Sequence, residues 1–307
     1  MAGRTIEVII PVRNMAEHMP KVLRPLMAQL AVGDRVTVIN DASTDDTESV
    51  ARSFGVTVLN LAESRGPYYA RQIAAVRSTA DILLFIDARS RPLPGLLEAH
   101  RALHADPGVA LSCTNVNTLS GPTTAARMAA MAQTFSLPAK VGVPGKPPYY
   151  PTANLGVDRQ AFHAVGGFRA MRSGGDADIC WRVQENGLGR MGIDDRVLME
   201  WEPRQTMPEL ASQFKRYGRG TAYLQWAYRQ SRRQGGGRAV AHRPTPAWFK
   251  TMVLNELRRP VRQHLARAVI NYWLQVGYIS ERFKQSQFTM PVRYDLSADA
   301  EIGGPQR

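Results

Sequence analysis

The chain is poor in cysteine. Cys113 and Cys180 are its only two and lie far apart, which makes neither a metal-ligand spacing nor a disulfide framework, so a reducing cytoplasm is the expected compartment. Long apolar runs are missing: no window approaches the roughly 18 consecutive apolar residues that a membrane-spanning helix requires. Residues 1–14 lack the apolar centre of a secretory leader and run straight into a strand pattern, so no signal peptide is expected. The six histidines, His18, His100, His104, His163, His242 and His264, fall at no ligand spacing, and the i, i+4 pair His100/His104 reads as a helix face. There is no internal repeat. Acidic residues are scarce in the last third. From Pro203 onward 18 Lys/Arg face 6 Asp/Glu, so this segment holds almost all of the net charge of +13. Such a tail is suited to something anionic: a phospholipid surface, a phosphorylated acceptor or nucleic acid.

What is present is an alternation. With 307 residues, 44% hydrophobic, the chain can fill one large α/β domain plus an appendage. Ile6–Ile10 is apolar except for Glu7, and Val36–Asn40, Val56–Leu59 and Ile82–Ile86 read as further strands. Between them Glu17–Leu30, shortened or kinked by Pro20 and Pro25, Asp45–Phe54, capped by Ser43 or Thr44, and Tyr68–Arg77 read as helices. Leu96–His104 and Ala177–Glu185 are helical as well, and Val109–Cys113 is a strand. This order predicts a doubly wound, mostly parallel sheet with right-handed crossovers. Residues 121–150 form a Pro/Gly-rich stretch ending in Tyr149-Tyr150, of the kind that makes lids and substrate walls. From Trp248 on, Leu254, Leu257, Val261, Leu265, Ala268, Tyr272, Val276 and Ile279 keep helical spacing, interrupted near Pro260, after a Gly235-Gly236-Gly237 break.

Three strand ends carry polar residues to one sheet edge, where α/β proteins bind ligands. They are Pro11-Val12-Arg13-Asn14, Asn40-Asp41-Ala42-Ser43, and Asp87 at the end of Ile82–Ile86. Amides and carboxylates on such a rim can hydrogen-bond a nucleobase and a ribose. Further along, Gly174-Gly175-Asp176 opens a helix, a setting that keeps an acid ionised on a loop free to close.

These pieces, with Arg65-Gly66-Pro67, Ala70-Arg71-Gln72, Ala153-Asn154-Leu155-Gly156, Val165-Gly166-Gly167-Phe168, Gly175-Asp176-Ala177-Asp178 and Gln213-x-x-Arg216-Tyr217, resemble glycosyltransferase family 2 in order and spacing over about residues 5–225. The resemblance implies a GT-A fold with a Rossmann-like donor half and a C-terminal helical extension, and inverting transfer from a nucleotide diphosphate sugar, UDP-linked first. It implies donor contacts at Pro11, Val12, Arg13, Asn14, Asp41, Ser43, Gly66, Arg71, Asp87, Ala88 and Arg89. It implies Asp176 as catalytic base and acceptor contacts at Asn154, Gly175, Asp178, Trp181, Arg216 and Tyr217. The Gln213-x-x-Arg216-Tyr217 segment is similar to the Gln-x-x-Arg-Trp of processive synthases, with Tyr in place of Trp.

The chain departs from the family in two places. The family's Asp-x-Asp, whose last carboxylate holds Mn²⁺ or Mg²⁺ on the diphosphate, is here Asp87-Ala88-Arg89, and Arg cannot ligate a cation. The metal-binding His that often follows the acceptor helix is absent from Val197–Glu202. Three readings stay open: Arg89 supplies the charge without metal, Asp87 with Glu200 or Glu202 still holds a divalent cation, or activity has been lost. The expected organisation is a donor half over 1–115, an acceptor half over 116–225 and a basic, aromatic tail over 226–307. The acceptor is a hydroxyl on a lipid-linked, cell-envelope or small natural-product molecule. The tail covers the site, forms a homodimer or rests on an anionic membrane at the cytoplasmic face. A nucleotide-sugar binder without transfer and a nucleic-acid-binding protein are the alternatives from other classes, but no nucleic-acid motif accompanies the basic residues, so no nucleic-acid partner is expected.

Overall fold

The computed structural model describes residues 3–137, 141, 147–233 and 260–297. Most of the stretch 138–148, the Gly235–Gly237 break, Trp248, Leu254 and Leu257 lie outside the described residues.

Eight strands form one sheet: β1 Ile6–Val12, β2 Arg35–Asp41, β3 Thr57–Leu61, β4 Ile82–Ile86, β5 Ser90–Pro92, β6 Val109–Thr118, β7 Asn154–Asp158 and β8 Arg190–Trp201, in the order β3-β2-β1-β4-β7-β6-β8-β5. β1 lies parallel between β2 and β4, and β3 continues the parallel set. β7 runs antiparallel between β4 and β6, and β8 lies parallel to β6. β1 and β4 are buried nearly throughout, which is why they read as continuous apolar runs. The one interruption, Glu7, is buried and accepts a hydrogen bond from Thr37 Oγ1 at 2.7 Å across the β1–β2 pair.

The helices are α1 Met19–Met27, α2 Thr47–Arg52, α3 Pro67–Ala75, α4 Leu96–Leu103, α5 Thr124–Ala132, α6 Arg159–Ala164, α7 Gly175–Glu185, α8 Met207–Arg233 and α9 Val261–Arg282. A 3₁₀ turn at Ala16–His18 precedes α1. Pro20 sits in the first turn of α1, and the helix stops two residues after Pro25, the shortening expected of a residue without an N–H. The predicted cap of α2 is corrected. Asp46 holds the N-cap position with no side-chain bond, and Ser43 Oγ instead accepts from Asn14 N at 3.0 Å.

Beneath α4, a polar network joins the two halves of the sheet. His100 Nδ1 and His104 Nε2 lie 2.7 and 2.9 Å from Ser112 Oγ, and His100 Nε2 lies 2.9 Å from Asn154 Oδ1. Asn154 Nδ2 donates to Thr114 Oγ1 at 2.7 Å. Gly156 makes room for this network, since a Cβ there would stand 2.2 Å from Ser112 Oγ. The histidine pair therefore faces the core, not solvent.

The C-terminal helix α9 crosses α8 at two glycines. A Cβ on Gly218 would lie 1.9 Å from Leu274 O, and one on Gly277 would lie 2.0 Å from Lys215 O. Backbone thus meets backbone, and the tail is fixed to the body. The boundary expected at residue 225 falls inside α8, so one continuous helix spans it.

Candidate active site

The strand-end loops are stitched to one another. Asn14 Oδ1 accepts from Thr44 N at 2.8 Å, and Asn14 and Ala42 both adopt left-handed φ, 51° and 53°, a conformation non-glycine residues hold only where neighbours impose it. Pro11, Arg13 and Asn14 are accessible at this edge, whereas Val12 and Ala88 turn inward. Asp41 is 5% exposed. Its carboxylate accepts from Arg65 N at 2.8 Å, Ser64 Oγ at 2.9 Å and Gly66 N at 3.1 Å. It therefore positions the loop that starts α3. Gly66, at φ 88°, makes the turn into that helix.

A cavity of about 430 Å³ opens where this edge meets α7, α8 and α9. Arg71 from α3 and Asp87 after β4 line it together with Asp176 at the start of α7. Arg71 is 3% exposed, bonds to Asp87 and stands 5.7 Å from the Tyr68 ring centroid. Tyr68 Oη donates to Asp176 Oδ1 at 3.3 Å. Burial, and then the Asp176 carboxylate beside it, push the Tyr68 phenol well above its ordinary range, so it remains a donor. Asp176 also accepts from Ala177 N at 2.9 Å in the first turn of α7, where the helix dipole favours the ionised acid. Trp181, Arg216 and Tyr217 line the cavity. Gln213 Nε2 donates to Tyr217 Oη at 2.9 Å and sets its ring.

Three expected acceptor contacts are corrected. Asn154 is fully buried and engaged by His100 and Thr114. Asp178 is also fully buried, held by Arg169, by Arg182 Nε at 2.9 Å and by Tyr228 Oη at 3.3 Å. Gly175 faces Tyr68, whose ring would stand 3.0 Å from a Cβ at that position, and it is Gly174 that lines the cavity. Gly175 and Asp178 stand close to Asp176 in sequence and Asn154 does not, but all three answer to packing or to buried partners, which sequence spacing does not show.

A divalent cation needs several oxygen donors facing one point. Asp87 is bonded to Arg71, and Glu202 is bonded to Arg91, with His18 Nε2 at 3.5 Å and Lys21 Nζ at 3.8 Å. Glu200 pairs in register with Arg91 across β5–β8. Among the described residues no group of three or more His, Cys, Asp or Glu is placed to hold a metal. Of the expected pairing of Asp87 with Glu200 or Glu202, Asp87 and Glu202 are each taken up by an arginine, an arrangement that does not fit a site for Mn²⁺ or Mg²⁺.

Sequence reasoning missed Tyr68 and the α9 residues Arg267, Ile270, Asn271 and Leu274 that wall the cavity. Tyr68 lies three residues before Arg71 on the same helix, a spacing that puts both on one face. The sequence does not single out the α9 residues one by one, although a tail that covers the site is one expectation, and the Gly218–Gly277 crossing is what brings them to the cavity.

The glycosyl transferase family 2 profile matches residues 7–179. The pre-mycofactocin glycosyltransferase of Mycobacterium tuberculosis is 32% identical over 229 residues, 72% of this chain and 47% of that one. Glycosyltransferase AglE of Haloferax volcanii is 29% identical over 225 residues, 70% and 72% of the two chains. The chain thus spans about half the length of the first of these relatives. Among solved structures, the mannosyltransferase PcManGT from Pyrobaculum calidifontis in complex with GDP-Man and Mn²⁺ superimposes with a TM-score of 0.57 at 18% identity, over 94% of this chain and 79% of that one. Glucosyl-3-phosphoglycerate synthase of Mycobacterium tuberculosis in complex with Mn²⁺, UDP-glucose and phosphoglyceric acid gives 0.51 at 18% identity, over 68% and 75%. These likenesses carry the GT-A fold, and the profile match over more than half of the sequence carries the family: the chain belongs to glycosyltransferase family 2.

Proposed function

We propose that this chain is an inverting glycosyltransferase that moves a sugar from a nucleotide diphosphate donor, read as UDP-linked, to an acceptor hydroxyl. The observation that carries the reading is that Asp176 shares one cavity with the Arg71–Asp87 pair. Asp176 takes the proton from the acceptor hydroxyl, and the oxygen attacks the anomeric carbon on the face opposite the diphosphate. The bond from that carbon to the phosphate oxygen breaks, and its electron pair leaves with the nucleoside diphosphate. Tyr68 orients the base, and the acid's negative charge lies near a carbon that turns oxocarbenium-like.

The walls support an acceptor with an apolar body and an anionic group. Phe135, Trp181, Ile270 and Leu274 line the interior, while Arg172 and Arg216 stand exposed at its edge. A lipid-linked, cell-envelope or natural-product hydroxyl meets that description. The outer face of α9 supports a seat on an anionic membrane, at the cytoplasmic side. Val261, Leu265, Tyr272, Ile279 and Phe283 are all more than half exposed along one stripe, with Arg262, Arg282 and Lys284 exposed beside it. No described helix is long and apolar enough to cross a membrane.

The test uses radiolabelled UDP-, GDP- and dTDP-sugars, with thermal shift and transfer to a lipid-linked or phenolic hydroxyl acceptor as readouts. One donor raising the melting temperature and yielding a product with inverted anomeric configuration is the expected outcome. Retained configuration, or no response to any donor, refutes the reading.

A further inference from the structure

Two residues beyond Asp87 the chain places a guanidinium where a metal site needs a carboxylate. Ser90 N donates to Asp87 O at 3.0 Å, closing a turn with Ala88 and Arg89 at its centre, and Glu202 N donates to Arg89 O at 2.9 Å. Arg89 is thereby fixed where the connections after β1, β4 and β8 meet, within electrostatic reach of His18, Arg91, Glu202, Arg204 and Glu209. Its Nε is shut off from solvent with no hydrogen-bond partner among the described residues, and His18 Nε2 is in the same condition. A buried N–H left unmade costs free energy until an acceptor arrives. Glu202 does not meet that demand, because its carboxylate is bound by Arg91. Burial, and then the Arg204 charge, pull the Arg89 pKa down against the Glu202 and Glu209 carboxylates, which raise it.

We propose that Arg89, backed by Arg204, holds the diphosphate of the donor in the place of a divalent cation, so that donor binding and leaving-group departure require no metal. The inference rests on the glycosyltransferase reading above. As the anomeric carbon–oxygen bond breaks, the electron pair stays on the β-phosphate oxygen, and a fixed guanidinium offsets that charge with no reorganisation. A planar, permanently charged fork suits phosphate oxygens better than a lysine would. The unmet Nε–H would find its acceptor there.

Calorimetric titration of UDP, GDP and uridine, in EDTA and then in MnCl₂, tests this with wild type, Arg89→Gln and Arg89→Lys, each checked for an unchanged circular dichroism spectrum. The expected result is diphosphate binding in EDTA that Mn²⁺ alters little and that weakens with salt. Arg89→Gln should lose roughly tenfold to a hundredfold in diphosphate affinity while uridine affinity holds, and Arg89→Lys should recover part of the loss. Binding that disappears in EDTA and returns with Mn²⁺ overturns the metal-free site while leaving the glycosyltransferase reading intact, as does an unchanged Arg89→Gln. If neither nucleotide binds in either buffer, both fall.

Discussion

An acid becomes a base for a sugar hydroxyl only if it is ionised, oriented and within reach. Asp176 has the first from the start of α7, the second from Tyr68 and the third from its place on the cavity wall. Asp176→Asn keeps the shape and the hydrogen bond but removes the proton acceptor. Transfer should fall by about 10²–10⁴-fold, while donor affinity, read by titration, stays near wild type. Equal loss in both would make Asp176 a binding residue instead. At this scale the sequence was legible where chemistry and position coincide: Asp176, Arg71, Asp87, Trp181 and Tyr217 all reach the cavity. It was not legible where a motif residue serves its neighbours. Gly167 lies in Val165–Phe168 because a Cβ there would stand 2.2 Å from Gln72 Oε1, and Gln72 accepts from Phe168 N at 2.7 Å. Such residues resemble site residues in one dimension.

The elements show the same division. The buried parallel strands, uniform on both faces, were readable from composition. β7 and β8 were not, because β7 carries Asn154 and Gly156, and β8 is charged and exposed over much of its length. The α8–α9 crossing makes a direct test of packing. Gly218→Ala places a methyl group against Leu274 O, so the helices must part. A loss of about 1–3 kcal/mol in unfolding free energy is expected, and, on the proposed reading in which α9 walls the acceptor, weakened acceptor saturation with donor affinity near wild type. The outer stripe of α9 predicts sedimentation with vesicles containing phosphatidylglycerol and not with phosphatidylcholine alone. Replacing Leu265 and Tyr272 with Ser should abolish it. Concentration-dependent self-association lost in the same variant would instead mark the stripe as a contact with a second copy.

Across the whole molecule, the histidine network ties the parallel half of the sheet to the returning half. Burial lowers both His100 and His104 to about 4 from an unfolded value of 6.5. The unfolded chain therefore binds more protons below pH 6.5, and stability present above that value drains away as pH falls toward 4. On the order of a few kcal/mol is at stake, and urea midpoints at pH 7 and pH 5 would measure it; equal midpoints would mean the network admits a proton. A network of this kind is invisible in the sequence, because Ser112 and Asn154 meet the histidines only when β6 and β7 pair. The crossing of α8 and α9 carries a different consequence. The family profile ends at residue 179, yet the cavity is closed by residues 267–274. On the proposed reading, the residues that match the family profile and the helix that walls the acceptor thus lie in separate stretches of one polypeptide. Exchanging that one helix while keeping the profile region would then be expected to change the recipient of the sugar.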